Sequence, residues 1–551
     1  MKETYVYISV LLNLLLLQLL CPTLSISKST VTELPGFPGS LPFELETGYI
    51  GVGEGENVQL FYYFVKSDNN PKDDPIILWL TGGHVCSAFI GFFNEIGPLQ
   101  FVVSKYDGSL PKLTSNPYSW TKVANILFID SPVGAGFSYS KTAEGNISGD
   151  RQTCWQTYEF LKKWLIGHPE FLSNPIYVGG ISYVGFTAPL VVQHISDANK
   201  AGIEPLVNLK GYLLGNPGEN TTKSDNSRIQ FAHGMGLLPD ELYESMKNSC
   251  AGEYTYVDTN NVKCLEDVQA YSKCTAGINF QHILEPKCTV VSPKPNEIAE
   301  LRRSLIENAT ELLYSKLPLQ LNSEPQFPEL GCRSYSYALN YYWANDKSVR
   351  KALHIKEDTV LEWQRCRSSQ PYKTETSSSF AYHVILSKRG YRSLVYSGDH
   401  DMAVPFTSTQ NWIRSLNYPI VDDWRPWLVD GEVGGGDHDM AVPFASTQNW
   451  IRSLNYPIVD DWRPWLVDGE VGGGDHDMAV PFASTQNWIR SLNYPIVDDW
   501  RPWLVDGEVG GYTRTYANKM TFATGGGHTA PEYKPKECFA MFKRWLSEEP
   551  L

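Results

Sequence analysis

The stretch Ile176-Tyr177-Val178-Gly179-Gly180-Ile181-Ser182-Tyr183-Val184-Gly185 decides the fold. A short apolar run ends in a glycine pair and a serine. An apolar segment then follows, Ala188-Pro189-Leu190-Val191-Val192, continuing toward His194 and Ile195. Strand, sharp turn with small neighbours, then helix is the setting of a nucleophile elbow. The spacing is Gly180-x-Ser182-x-x-Gly185 rather than the common G-x-S-x-G, and Ile181 is apolar where a polar group would serve hydrolysis better. A serine in an ordinary strand–helix turn is the plainer alternative.

The flanking sequence favours the elbow. Ile76-Ile77-Leu78-Trp79-Leu80 and Ile126-Leu127-Phe128-Ile129 are continuous apolar runs, as expected of strands covered on both faces. Between 148 and 169 the positions Trp155, Tyr158, Phe160, Leu161, Trp164 and Leu165 follow a helical period. Strands alternating with helices predict a mostly parallel central sheet with helices on both faces. From about 216 to 340 the sequence turns polar and dotted with cysteines, with helical stretches such as 297–313. This reads as an inserted cap. Helix and strand patterns return at 349–354 and at Ser393-Leu394-Val395-Tyr396.

The 551-residue chain is acidic, with 61 Asp plus Glu against 46 Lys plus Arg, a net charge of -15. No basic surface offsets phosphate charge, which argues against a nucleic-acid partner. Lys2 precedes a leucine-rich run at 8–20, and small and polar residues follow to Ser27. That pattern predicts a cleaved secretory signal over 1–26, with 27–551 as the mature domain. A membrane anchor is the weaker reading, because a spanning helix needs about 20 apolar residues. No later segment reads as a membrane span. Ten cysteines suit an oxidising compartment, and sequons at Asn146, Asn220 and Asn308 are compatible with glycosylation. The expected location is secreted or vacuolar. Nothing in the sequence sets the oligomeric state.

Residues 398–435 recur as 436–473 and again as 474–511, a 38-residue period that differs only at Thr407 against Ala445 and Ala483. Stacked repeat units normally diverge while preserving a core. Near-identity points to a recent duplication or a faulty gene model, with one copy completing a domain and 76 residues inserted.

The chemistry-bearing residues fall at strand ends. Thr81-Gly82-Gly83 follows the first apolar strand, where backbone N–H groups can face a developing oxyanion. Asp399-His400-Asp401 follows the strand at 394–397, and Gly525-Gly526-Gly527-His528 lies near the end. Ser182, Asp401 and His528 come in the order that α/β-hydrolases use. The Asp-His-Asp copies are explained by duplication, so no metal or other cofactor is expected.

Five motifs, TGGHVCS (81–87), DSPVGAGFSYS (130–140), GGISYVG (179–185), YSGDHDM (396–402) and GGGHTAPEYKP (525–535), resemble the serine carboxypeptidase-like family of plants. The resemblance runs from about Leu34 to the C-terminus, the extra copies aside. It implies an α/β-hydrolase fold and an acyl-enzyme, with Ser182 as nucleophile, His528 as general base and Asp401 orienting the imidazole. Asp439 and Asp477 occupy the same slot as Asp401 in the other copies, but follow glycine-rich links rather than an apolar strand. The resemblance further implies an oxyanion hole from the backbone of Gly83 and Tyr183. It implies disulfides Cys86–Cys332, Cys250–Cys264 and Cys274–Cys288, leaving Cys154, Cys366 and Cys538 over.

Substrate recognition is where the chain departs. Family peptidases resemble NGGPGCSS and GESYAG, in which an Asn and two acids hold a peptide's terminal carboxylate. Here Thr81, Gly82, Glu95 (in FFNEIGP) and Ile181 stand at the substrate site; Thr81 resembles the acyltransferase branch, and Ile181 replaces the second acid. Two carboxyls sharing a proton raise one pKa. With one gone, Glu95 is expected to ionise and repel a peptide carboxylate, favouring a small-molecule ester or glucose-linked acyl donor over a peptide. Packing of Ile181 against the pocket wall, with Glu95 rescued by another hydrogen bond, is the alternative. His84-Val85 replaces the family's Pro-Gly. If that glycine has positive φ, the valine is strained; His84 is expected to act from the surface or behind the site. The strand before His528 reads as about two residues short. A catalytically silent binding protein, or a decaying gene, is the rival to an enzyme.

Overall fold

The computed structural model describes residues 27–235, 237–285, 287–288, 330, 332–367, 369–429, 432–433, 466–467, 470–471, 502–505, 508–516, 520–524, 530–533 and 535–549. The expected signal at 1–26, the helical stretch 297–313, Asn308, Asp439, Asp477 and 525–529 with His528 lie outside them.

The apolar runs form the middle of one sheet. Asn125–Ile129, Ile76–Leu80, Ile176–Ile181, Leu209–Gly215, Arg392–Ser397 and Met520–Thr524 are parallel neighbours in that spatial order. Antiparallel strands extend it at both edges: Ser27–Glu33, Ser40–Val52 and Val58–Val65 on one side, Glu508–Tyr516 and Ile420–Val429 on the other.

The period of two in a strand sends alternate residues to opposite faces. Ile76, Leu78, Leu80, Ile176 and Val178 pack on one side against Phe160, Leu161 and Trp164 of helix Asp150–Gly167 and Val191, Val192 and Ile195 of helix Val184–Lys200. Ile77, Trp79, Tyr177 and Ile181 face the other side, with helices Ser334–Asn345 and Pro535–Leu546. There Phe542 stacks on Trp120 at 3.9 Å between ring centroids. The expected sheet with helices on both faces is present.

Helices Thr221–Gly234, Asp240–Cys250 and Val262–Cys274 form a smaller apolar core of their own. Met402, from the loop after Arg392–Ser397, is buried within it. Among the described residues no helix is long and apolar enough to cross a membrane.

Two of the three expected disulfides are corrected. Cys86 joins Cys366, not Cys332. Residues around them form a short antiparallel bridge, with Ser87 N–H donating to Arg365 C=O (2.8 Å) and Arg367 N–H to Val85 C=O (3.0 Å), which places the two thiols face to face. Cys332 instead joins Cys288, so Cys274 is not the partner of Cys288; it is buried in the cap core. Cys250–Cys264 is as expected and ties two cap helices. Cys154 remains a buried thiol 3.5 Å from Thr187 C=O, whereas Cys366, expected to be left over, is bridged.

The repeat leaves a trace in the pairing. Leu428 is in register with Val433 of its own copy and with Val509, the same residue two copies on.

Candidate active site

Parallel strands bring their carboxyl ends to one edge of a sheet, where α/β proteins bind ligands. Ile181 is in register with Gly215, and Gly215 with Tyr396, so the turns after three adjacent strands meet.

Ser182 has φ +62, the left-handed region that non-glycine residues rarely occupy. Its N–H donates to Gly215 C=O (2.9 Å), and its C=O accepts from Gly185 N–H and Gly218 N–H (3.0 Å each). Strain of this kind costs on the order of 1–3 kcal/mol and persists only where surroundings fix it. The close approach also explains two glycines. A Cβ on Gly185 would lie 2.3 Å from Gly218 C=O, and one on Gly82 would lie 2.8 Å from Ser182 Cβ. Thr81-Gly82-Gly83 is thus folded against the serine. Tyr183 opens the following helix, where the first amides lack partners inside the helix.

Val85 also has a left-handed backbone, φ +56, and is buried. The expected strain at this valine is present, and the neighbouring Cys86–Cys366 bridge holds it. His84 lies half-buried, its ring 4.1 Å from that of Tyr183 and 5.0 Å from that of Tyr372. Both tyrosine hydroxyls donate to Asp150 Oδ1, at 2.7 and 2.8 Å, while Asp150 Oδ2 accepts from Glu375 and Thr376 N–H at 2.7 Å. Sequence reasoning missed this buried carboxylate. An acid at the first position of a helix was the available signal.

Asp401 is fully buried. Its Oδ1 accepts from Ala403 N–H (2.7 Å) and its Oδ2 from Asn216 Nδ2 (2.7 Å), with Val404 N–H 3.2 Å from both oxygens. Asp399 sits beside His400, Oδ1 to Nδ1 3.0 Å.

Glu95 ends the turn Gly91–Glu95 and is 5% exposed. Burial pushes its carboxyl up to about 8; the Trp79 indole N–H (3.0 Å) and Arg365 pull it down, and Glu532 pushes it up. The expectation that Glu95 ionises once the second acid is lost is therefore not met. A dry pocket disfavours the charged form by itself. Glu532 was not anticipated; its carboxylate accepts from the Tyr337 hydroxyl at 2.9 and 3.1 Å. Ile181, 2% exposed, packs in the core on the same sheet face as Trp79. Among the described residues the Thr81 hydroxyl makes no hydrogen bond. Asn146 is exposed, and Asn220 caps helix Thr221–Gly234 through Lys223 N–H (3.0 Å).

The described geometry joins a strained serine turn, a glycine turn against it and a buried acid. A serine carboxypeptidase family model matches residues 35–435, 432–474 and 471–548, breaking where the 38-residue copies meet. Serine carboxypeptidase-like 17 of Arabidopsis thaliana is 44% identical over 552 residues, covering 100% of both chains. Serine carboxypeptidase-like 1 of the same plant is 44% identical over 527 residues, 95% of this chain and 94% of its own. The crystal structure of Kex1(delta)p, a prohormone-processing carboxypeptidase from Saccharomyces cerevisiae, superposes with a TM-score of 0.57 at 18% identity, covering 94% of each chain. That likeness shows the α/β-hydrolase fold. With matches from residue 35 to 548, the chain belongs to the serine carboxypeptidase family.

Proposed function

We propose that this protein is a serine hydrolase or acyltransferase working through an acyl-enzyme on Ser182. The observation that carries the reading is the left-handed Ser182, tied on both peptide groups and facing the glycine turn. His528 takes the proton from the hydroxyl, and Asp401 holds the imidazole in the productive tautomer. The N–H groups of Gly83 and Tyr183 receive the oxyanion, and the leaving group departs with the proton from His528. Water or an acceptor alcohol then resolves the ester. Ile181 bears on what enters the site rather than on this chemistry, because main-chain groups supply the oxyanion contacts.

Glu95, neutral below about 8, keeps one acid proton to offer a carboxylate, and Ile181 removes the second donor. Peptides with a free C-terminus are weak substrates, while an uncharged ester donor, such as a glucose ester, loses nothing by the change. The three disulfides support a secreted or vacuolar location, with Asn146 and Asn220 as glycosylation sites. The apolar Ile181, where family peptidases carry an acid, favours the second reading, a silent family member acting as a binding protein. A fluorophosphonate probe decides between them. Labelling that is lost in Ser182→Ala establishes the nucleophile, and an unlabelled wild type refutes it.

A further inference from the structure

The turn Gly215-Asn216-Pro217-Gly218 touches both the nucleophile and the acid. Gly215 C=O and Gly218 N–H bracket the peptide groups of Ser182, as described above. Asn216 reaches the other way. Its Nδ2 donates to Asp401 Oδ2 (2.7 Å), its Oδ1 accepts from Gly398 N–H (3.2 Å), and its own N–H donates to Tyr396 C=O (2.8 Å). The side chain is fully buried, and the backbone is left-handed at φ +40.

We infer that Asn216 is a positioning residue that orients the Asp401 carboxylate relative to Ser182, through one rigid turn hydrogen-bonded to both. Asp401 Oδ1 is occupied by Ala403 N–H. The amide of Asn216 and the amide of Val404 together fix the rotation of the carboxyl group about its last bond, and so the direction in which its oxygens accept. An acid that is present but misdirected leaves the base in the wrong orientation, and roughly 1 Å of misplacement can cost about 100-fold. The left-handed backbone of Asn216 is what points its amide back toward the acid loop, while its neighbours hold the serine. A buried side chain with both ends committed to one loop is a positioning device rather than filler.

This rests on the acyl-enzyme reading with Asp401 as its acid. Two variants test it, both tolerated at positive φ: Asn216→Gly deletes the amide, and Asn216→Asp keeps the shape but places a second carboxyl on Asp401, so that its donor persists only while the pair shares a proton and is lost as pH rises. Concentrations are set by phosphonate titration of the serine, so that misfolded protein drops out. Ester hydrolysis by Asn216→Gly should show kcat lower by roughly 10- to 100-fold with KM within about twofold. Asn216→Asp should lose activity further as pH rises and its shared proton leaves, a dependence the Gly variant lacks. If Asn216 merely fills space, the isosteric Asp variant stays near wild type and the Gly variant is impaired. That pattern, or a loss confined to KM, overturns the inference. A wild type that does not label overturns the acyl-enzyme reading, and this inference with it. A labelled wild type matched by both variants overturns this inference alone.

Discussion

Raising the pH through 8 should release carboxylate ligands from this protein and leave neutral ones bound. Glu95 is buried, and its carboxyl is pushed up to about 8 by desolvation, against the pull of the Trp79 N–H. Below that value it carries a proton and can donate to a ligand carboxylate; above it, the anion repels the same group. The protonated fraction falls tenfold for each pH unit beyond the pKa, so Ki for a carboxylate ligand should rise about tenfold per unit above about 8. A hydrogen bond to a charged group is worth roughly 1.5–3 kcal/mol, which limits the total loss to about 10- to 150-fold before repulsion adds to it. The assay is competitive inhibition of ester turnover by an N-acyl amino acid, measured from pH 6 to 9.5 beside its methyl ester. Glu95→Gln, which has no proton to lose, should flatten the profile. A flat profile in the wild type refutes the reasoning, as does a methyl ester that weakens in parallel or a Glu95→Gln variant that keeps the dependence.

Val85→Gly should leave the melting temperature nearly unchanged, because relief of strain at φ +56, on the order of 1–3 kcal/mol, is offset by about 1.5–3 kcal/mol for the buried side chain it removes; a clear drop would show that the valine is not strained. Ile181→Asp should increase turnover of peptides with a free C-terminus relative to esters, since it adds a second acid on the sheet face of Trp79; equal peptide-to-ester ratios would remove Ile181 from substrate choice. Deleting residues 432–507 joins Gly431 to Glu508 and leaves the same Leu428 pairing by way of Val509. The shortened protein should fold and label at Ser182, and Asp401→Asn in it should abolish ester turnover. Aggregation of the deletion would give the extra copies a role, and survival of turnover without Asp401 would remove Asp401 as the acid.

The sheet was legible because buried parallel strands need uninterrupted apolar runs, and Ile76–Leu80 and Ile176–Ile181 display them. The serine turn was legible because Gly82, Gly180 and Gly185 are forced by close approach, which leaves a pattern in residue type. The disulfides were not legible. Cysteine spacing says nothing about which loops meet, and Cys86 meets Cys366 only through backbone pairing 280 residues apart in sequence. The state of Glu95 was misread for a related reason. A missing partner acid is visible in sequence, but the burial of Glu95 is not, and Arg365 and Glu532, which act on it, lie far along the chain. Asp150 and Asn216 were missed because a buried polar residue has the same letter as an exposed one.

The three left-handed residues argue for a site kept under tension. Val85, Ser182 and Asn216 lie just beyond the ends of three neighbouring strands, Ile76–Leu80, Ile176–Ile181 and Leu209–Gly215. Strain on the order of 1–3 kcal/mol at each survives only if other contacts over-determine the backbone. Those contacts differ. A disulfide and a backbone bridge hold Val85, and a pair of peptide hydrogen bonds to the adjoining turn holds Ser182. The side-chain amide to Asp401 and the N–H to Tyr396 hold Asn216. The three restraints are separate, and each holds a turn that follows one of three neighbouring strands. The left-handed valine at position 85 thus sits in a turn held by the disulfide and the backbone bridge, and its cost falls on stability.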